Sequence, residues 1–297
     1  MKIGIDLGGS HIAVGLIESS GKVLSKKEVQ ILKEDENNIK DVIENYIFGA
    51  IEEFRQKGKI ESIGVAIPGT VSKTTVVKSV NLGLENYNIV EALHKRIQEP
   101  IKIKNDAKCA AIAENTYGSI KQYSSSLFLT LGTGIGGAAI FENKLLSPED
   151  VPGFEFGHMI IKHNGKLCKC GKRGCFEQYG SMKAFKQKII EELELDNKID
   201  GEQLLKVVEN EKDSHIMQEI IDEYITDLSI GISNLINIFE PEAIGIGGSF
   251  VYFADILLPK LKDKILSDNL LFNKRESLII NTAMLGNDAG MIGASLI

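Results

Sequence analysis

Apolar residues along this chain follow two spacings in turn, and the changes between them mark out the elements. Residues 2–7 (KIGIDL) form an apolar, β-branched run; Gly8, Gly9 and Ser10 break it, and residues 11–17 resume an extended pattern. The chain therefore opens as strand, glycine turn, strand, with a third strand expected over residues 23–29. From Asn37 the spacing changes: Ile39, Val42, Ile43, Tyr46, Ile47, Ala50, Ile51 and Phe54 fall at steps of three and four. Such steps place them on one face of a helix of several turns, which Gly58 ends. Residues 62–67 read as a buried strand closed by Pro68-Gly69. A helix around 89–97, a short strand at 101–104 and a helix from 106 to about 117 follow. Strands first and then alternation with helices is an α/β pattern.

At Ser126 the pattern starts again. Asp6-Leu7-Gly8-Gly9-Ser10 through Ile17 lines up at a constant offset with Thr130-Leu131-Gly132-Thr133-Gly134 through Phe141, each a strand, a turn of small residues and a second strand. The chain reads as two like halves, with a hinge expected near residue 118. Helical patterns then cover 182–193, 202–208 and 216–239. A strand at 243–246, a turn at Gly247-Gly248-Ser249, a helix over 251–261, a strand at 278–281 and a short helix from Asp288 complete the chain.

Composition narrows the class. The 297 residues, 43% of them hydrophobic, suit two globular domains, and a net charge of -7 argues against a nucleic-acid surface. No apolar run reaches the ~20 residues of a membrane span. MKIGIDLGGS enters a strand at once without a charged leader or cleavage site, so the cytoplasm is the expected location.

The densest chemistry lies in residues 153–177, GFEFGHMIIKHNGKLCKCGKRGCFE, which hold three of the four cysteines and two of the five histidines. Cys168, Cys170 and Cys175 are spaced C-x-C-x4-C, with Gly171 and Gly174 for the turns that point three thiolates at one centre. A fourth ligand would complete the closed tetrahedron of a structural zinc site, and His158 and His163 are both candidates. Buried free thiols would suit a small hydrophobe, but Lys169, Lys172 and Arg173 make this loop too polar for a core. Three cysteines cannot all pair as disulfides, and Cys109 lies far off in an Ala-rich helical pattern, where a core role fits better.

Two other patterns bear on phosphate. The turns Gly8-Gly9-Ser10 and Gly132-Thr133-Gly134 can offer backbone N–H groups and a hydroxyl to phosphate oxygens, and their repetition favours that reading over two ordinary hairpins. Gly132, Gly134 and Gly137 also satisfy G-x-G-x-x-G, but residues 138–141 continue as a strand where the dinucleotide motif opens a helix. No P-loop sequence occurs. Asp6, at the end of the first strand, is placed to hold Mg²⁺. Asp106 opens a helix after a short strand, as a plain N-cap or as a carboxylate presented to substrate.

These residues resemble a known family. DLGGS (6–10), IGVAIPGT (63–70), NDAKCAAIAE (105–114), LGTGIGG (131–137), EFGH (155–158), CKCGKRGCFE (168–177), IGIGG (244–248) and LGNDAGMIGA (285–294) look, in order, like the ROK family of bacterial sugar kinases and sugar-responsive repressors. The resemblance implies an actin-like ATPase (ribonuclease H-like) α/β fold of two lobes, 1–117 with 283–297 and 118–282, the second carrying a zinc loop at 158–175. ATP and sugar would share the cleft. Asp106 would be the general base on a sugar hydroxyl, itself a substrate contact with Asn81, Asn105, Glu155, His158 and Glu177. Asp6, Gly8, Gly9, Ser10, His11, Gly132, Thr133, Gly134, Gly136, Gly247 and Gly248 would hold ATP and Mg²⁺. Structural Zn²⁺ would be held by His158, Cys168, Cys170 and Cys175, leaving His163 at the surface.

The implied activity is an ATP-dependent hexose kinase acting on the 6-hydroxyl of glucose, N-acetylmannosamine or a related aldohexose, in a homodimer or homotetramer. An Asp near its normal pKa serves as base there, because proton transfer is late in a loose transition state. Two positions depart from the family pattern. Gly9-Ser10-His11 stands where G-G-T-K or G-G-T-N is usual, replacing a permanent cation by His11. Asn81-Leu82-Gly83-Leu84 stands where many glucose-specific members have N-L-x-W, which weighs against glucose itself. The alternative is a sugar-sensing regulator without kinase activity, but Met1 leads straight into the first strand with no helix-turn-helix before it. Glu155 and Glu177 as a glycosidase pair would leave the repeated turns unexplained.

Overall fold

Gly4, Gly15 and Gly64 lie abreast on three neighbouring strands, and their missing side chains decide what covers the first sheet. In the computed structural model, which describes residues 1–32, 38–147, 153–267 and 277–297, these strands are the first, second and fourth of the chain. β1 (Lys2–Leu7), β2 (His11–Ile17) and β3 (Val23–Gln30) form an antiparallel meander, α1 (Ile39–Arg55) follows, and β4 (Ser62–Ile67) runs parallel to β1. Asn37, where the helical pattern begins in the sequence, lies outside the described residues. The register pairs Gly4 with Gly15 and with Gly64.

The C-terminal helix α9 (Ala289–Ala294) settles onto this glycine row. A β-carbon on Gly4 would fall 1.8 Å from the Met291 carbonyl oxygen, and one on Gly64 would fall 1.7 Å from that of Ala294. Only glycine admits such a close backbone approach. The opposite face of the sheet is aliphatic: Ile3, Ile5, Leu7, Val65 and Ile67 pack with Ile43, Ile47 and Phe54 of α1 in one buried cluster. Burial of the α1 stripe, not helix propensity, holds that helix.

Between β4 and the next strand of the main sheet lie three short antiparallel strands, β5 (Thr70–Ser72), β6 (Thr75–Ser79) and β7 (Leu84–Tyr87), forming a sheet of their own. The sequence pattern does not announce them, because runs of three to five residues carry too little periodicity. The chain returns through α2 (Ile89–His94) to β8 (Ile101–Asn105) and α3 (Asp106–Thr116). Cys109 is fully buried there with Ala66 and Ala294, as its Ala-rich surroundings predict.

The second unit repeats the plan. β9 (Ser126–Leu131) pairs antiparallel with β10 (Ile135–Phe141), which is followed by β11 (Lys144–Leu145). After α4 (Glu177–Gly180), α5 (Met182–Glu192), α6 (Gly201–Glu211) and α7 (His215–Phe239), β12 (Ala243–Gly247) joins parallel to β9. A 3-10 turn over Gly248–Phe253, α8 (Ala254–Ser267) and β13 (Ile279–Thr282) complete it. Sheet order is β3-β2-β1-β4-β8 in the first unit and β11-β10-β9-β12-β13 in the second. The repeat read from sequence is thus a repeat of topology.

Its offset is not constant. Leu7 pairs with Ile12 across four intervening residues, whereas Leu131 pairs with Ile135 across three, so equivalence slips by one residue after the turn. The constant alignment is corrected accordingly: Ile12, not His11, corresponds to Ile135. β10 also continues as a strand, so the G-x-G-x-x-G match is not a dinucleotide motif.

The two compact units are Met1–Lys121, Leu145–Gly153 and Met284–Ile297 on one side and Gln122–Lys144 and Phe154–Ala283 on the other. Compared with 1–117 plus 283–297, the first unit extends to Lys121 and takes in Leu145–Gly153. Among the described residues, no helix is long and apolar enough to cross a membrane.

Candidate functional site

In the first unit, the junction of β8 and α3 fixes one carboxylate. The helix cap is Asn105 and not Asp106: Asn105 Oδ1 accepts the Lys108 N–H at 3.2 Å, while its Nδ2 donates to the Gly69 carbonyl at 3.0 Å and to Asp106 Oδ1 at 2.9 Å. Asp106 Oδ1 also accepts the Ala107 N–H at 2.8 Å. One carboxylate oxygen is therefore anchored, and the other makes no hydrogen bond among the described residues. Burial raises the Asp106 pKa above its ordinary value, against the lowering effect of these hydrogen bonds, so the expectation of a normal pKa is corrected.

Asp6 lies beside it electrostatically. Burial, with the negative charge of Asp106 next, pushes the Asp6 carboxyl up to about 7, Lys26 opposing and Glu28 and Asp288 adding to the rise. Its carboxylate rests against α9, since a β-carbon on Gly290 would fall 2.6 Å from Asp6 Oδ2. In the adjoining turn the His11 ring covers Gly8, where a β-carbon would lie 2.4 Å from the imidazole, and Gly9 approaches the Asn81 side chain. Ser10 and Asn81 are exposed. Nearby, Glu114 is fully buried and ties the chain together, with Oε1 accepting the Met284 and Leu285 N–H groups at 2.9 and 2.7 Å and Oε2 that of Ser119 at 2.7 Å. Its signals in the sequence are an acidic residue in an Ala-rich helix and its place at the end of the 105–114 motif.

In the second unit, the cysteine loop brings four ligand atoms together. The Cys168, Cys170 and Cys175 sulfurs and a ring nitrogen of His158 lie within 4.8 Å of one another. His163 is exposed outside the cluster, so the structure selects His158 of the two histidines. Gly171 and Gly174, at φ of 88° and 84°, supply the left-handed turns. Cys170 and Cys175 Sγ are 3.6 Å apart. That distance fits a tetrahedron with zinc–sulfur bonds of about 2.3 Å, whose edge is ~3.8 Å. His158 Nδ1 lies 3.7 Å from Cys168 Sγ, which leaves Nε2 for another partner. Burial pushes the Cys168 thiol up to about 12, so a metal there must displace its proton.

Glu177 stands between this loop and the Gly132-Thr133-Gly134 turn. Its Oε1 accepts from Cys168 Sγ at 3.1 Å and lies 3.8 Å from His158 Nδ1, while a β-carbon on Gly134 would fall 2.8 Å from its Oε2. Glu155 is not gathered in with them: its carbonyl accepts the His158 N–H at 3.0 Å, and its side chain is exposed. Gly136 pairs with Thr130, and Thr130 pairs on its other side with Gly247. At Gly248 φ is +74°, and a β-carbon would lie 2.4 Å from the Leu131 carbonyl. Beside Gly132 and Thr133 opens a mostly apolar cavity of about 500 Å³ walled by Leu204, Leu205, Tyr252 and Phe253. Three separate helical segments build it, so no local motif could reveal it. The Lys183 N–H bond to the Gly132 carbonyl, 3.0 Å, ties α5 to its rim.

A family model described as "ROK family" matches residues 2–297. The glucokinase of Thermotoga maritima is 28% identical over 310 residues, covering 99% of this chain and 96% of the relative. The xylose repressor of Caldicellulosiruptor bescii is 29% identical, covering 89% of this chain and 69% of its own length. The crystal structure of a ROK family glucokinase from Streptomyces griseus, in complex with glucose and AMPPNP, superposes with a TM-score of 0.80 at 26% identity, covering 99% of this chain and 97% of that one. The ROK hexokinase from Thermus thermophilus gives the same TM-score at 25% identity, with 99% and 96% covered. The two repeated sheets are those of the actin-like ATPase fold, and this chain is a member of the ROK family.

Proposed function

We propose that this chain is a cytoplasmic, ATP-dependent sugar kinase that transfers the γ-phosphoryl group to the 6-hydroxyl of glucose or a related aldohexose such as N-acetylmannosamine. The observation that carries this reading is Asp106. Its carboxylate is held by Asn105 and the Ala107 N–H through one oxygen, and the other is left to take a proton. A raised pKa makes it a stronger base than an exposed aspartate, although it must stay ionised to act. In phosphoryl transfer, positioning and charge stabilisation supply most of the rate, so a fixed base suits the chemistry.

The other residues serve binding. Glu177 and His158, through Nε2, hold neighbouring sugar hydroxyls, with Glu155 and Asn81 as further contacts; Asn105 serves chiefly by orienting Asp106. The apolar cavity beside Gly132-Thr133 takes the nucleotide base, and the two turns bond phosphate oxygens through backbone N–H groups. The Asp6 carboxylate, which makes no hydrogen bond among the described residues, suits a hard divalent cation such as Mg²⁺, whose role when bound is to neutralise phosphate charge. The three sulfurs and His158 suit zinc, whose role is to fix the loop and the tautomer of His158.

A coupled ADP-release assay with Mg-ATP over a panel of hexoses and N-acetylhexosamines tests the proposal. Turnover on at least one aldohexose is expected, and none on any of them would overturn it. The matches to xylose repressors support a second reading, a sugar-responsive regulator without kinase activity. Specific operator binding in a mobility shift, without sugar phosphorylation, would establish that one instead.

A further inference from the structure

The cysteine loop has little core of its own. Backbone hydrogen bonds join its limbs, among them Phe176 N–H to the Met159 carbonyl at 2.7 Å and Gly174 N–H to that of Lys166 at 2.9 Å, but Ile160 and Leu167 are 55% and 62% exposed. Four ligand atoms on a metal would fix the tip of such a loop without fixing how it sits on the unit that carries it.

That second task falls to α7. Near the start of the loop, Lys162 Nζ donates to Asp227 Oδ2 at 2.8 Å and lies 4.5 Å from the centre of the Tyr179 ring. Asp227 is buried, 6% exposed, in the middle of a 25-residue helix. At the end of the loop, the fully buried Phe176 ring lies against Gly231, where a β-carbon would fall 2.3 Å from it. Residues 227 and 231 are one helical turn apart on one face of α7, so a single face receives both ends of the loop. Tyr179 makes the third fastening. Its hydroxyl accepts the Lys166 N–H at 2.6 Å, and Gly165 has no room for a β-carbon, which would lie 2.1 Å from that hydroxyl. Tyr179 shares α4 with Glu177, two residues earlier.

We infer that Lys162 and Asp227 are a positioning pair, which holds the cysteine loop in its ligand-gathering shape before metal binds and thereby sets where His158 and Glu177 stand. None of these fastenings uses a ligand sulfur or the His158 ring. The part of this inference that concerns sugar rests on the kinase reading; the part that concerns the loop does not.

The test compares Lys162→Met, Lys162→Arg, and the double variant Lys162→Met with Asp227→Asn, which leaves no lone charge buried should Lys162→Met alone fail to fold. Zinc affinity is read by competition with a chromophoric chelator, and amide hydrogen exchange over residues 158–176 is followed in metal-free protein. Loss of Lys162 should weaken zinc by up to about tenfold, the low end of what losing a ligand's own hydrogen-bond partner costs, because the pair touches no ligand and acts only through the shape of the loop. It should also speed exchange across the loop in the absence of metal, with Lys162→Arg restoring both. Sugar KM should rise about tenfold with kcat within about threefold, the pattern of lost binding common to ground and transition states. Zinc affinity and loop exchange unchanged in both Met-containing variants would overturn the inference. A wild-type protein that phosphorylates no sugar would overturn the kinase reading alone, since the zinc and exchange measurements would still decide the role of the pair.

Discussion

Strands β1 and β9 hold the same place in the same sheet order, but the residue one before the end is Asp6 in the first and Thr130 in the second. Asp6 lies between Ala13 and Ala66, Thr130 between Gly136 and Gly247. The surroundings differ as much as the residue. In the first unit a helix presses bare backbone onto glycines and leaves a carboxyl, raised to about 7, next to a second carboxyl. In the second unit Phe128 fills the position of Gly4, the uncharged Thr130 fills that of Asp6, and the carboxylate nearest the turn, Glu177, comes from the segment after the cysteine loop. One architecture has thus been divided into a part that gathers carboxyl groups at strand ends and a part that presents hydrogen-bonding groups on a loop with four clustered metal-ligand atoms.

The largest expected effect tests that division. Asp106→Asn keeps the shape of the junction and removes the proton acceptor, so kcat should fall roughly 10²- to 10⁴-fold with sugar KM little changed. Glu177→Gln in the second unit should act mainly on sugar KM. Steady-state kinetics of the two variants over the sugar concentration decide it; a KM effect from Asp106 and a pure kcat effect from Glu177 would reverse the assignment.

Next in size is the packing difference. Gly64→Ala places a methyl group 1.7 Å from a backbone carbonyl that cannot move without shifting α9, whereas at Gly132 nothing lies within 4 Å. Overpacking of this kind costs about 3 kcal/mol or more, a drop of roughly 6–12 °C in Tm. Gly132→Ala should stay within about 0.5 kcal/mol. Thermal unfolding of both proteins, followed by circular dichroism, checks the contrast.

Third is the charge difference, read through pH. A carboxyl raised from 3.8 to about 7 keeps its proton in the folded state after the unfolded chain has lost it. Stability should therefore fall as pH rises from about 4 to about 7. At roughly 1.4 kcal/mol per tenfold change in proton affinity the ceiling is about 4 kcal/mol, and partial solvent access leaves about half. Asp6→Asn should flatten this slope and stabilise the metal-free protein by about 2 kcal/mol at pH 8 while impairing turnover. Urea unfolding of both proteins at pH 5 and pH 8 provides the measurement; equal slopes would show that Asp6 is solvated.

How much of this was legible in the sequence follows from how local each feature is. Ile39 to Phe54 and the repeated strand-turn-strand could be read because their periodicity is self-contained, and C-x-C-x4-C because zinc ligation needs close spacing. The strands 70–72, 75–79 and 84–87 were hidden, since each is too short to show a period. Asn105 as the cap in place of Asp106 was hidden too, because either side chain can accept the N–H three residues on. The raised pKa values of Asp6 and Asp106, the Lys162–Asp227 pair and the cavity at Leu204 and Tyr252 arise from residues far apart in the chain. Only folding brings them together.

The smallest effect concerns the one-residue difference between the turns. Four residues separate Leu7 from Ile12, three separate Leu131 from Ile135, and the additional residue in the first turn ends in His11, whose ring folds over Gly8. A lysine in place of His11 would put a permanent cation there, and an exposed charge toward a triphosphate is worth at most about 1 kcal/mol. His11→Lys should therefore lower ATP KM by up to about fivefold, with kcat unchanged, and the gain should shrink at high salt because exposed charges are screened within about 10 Å at 0.1 M. ATP titrations of both proteins at low and at high ionic strength measure it. A salt-independent gain would point to release of Gly8 from the imidazole rather than to charge, and no gain at all would place the phosphates away from the first turn, leaving Gly132-Thr133-Gly134 as the turn that binds them.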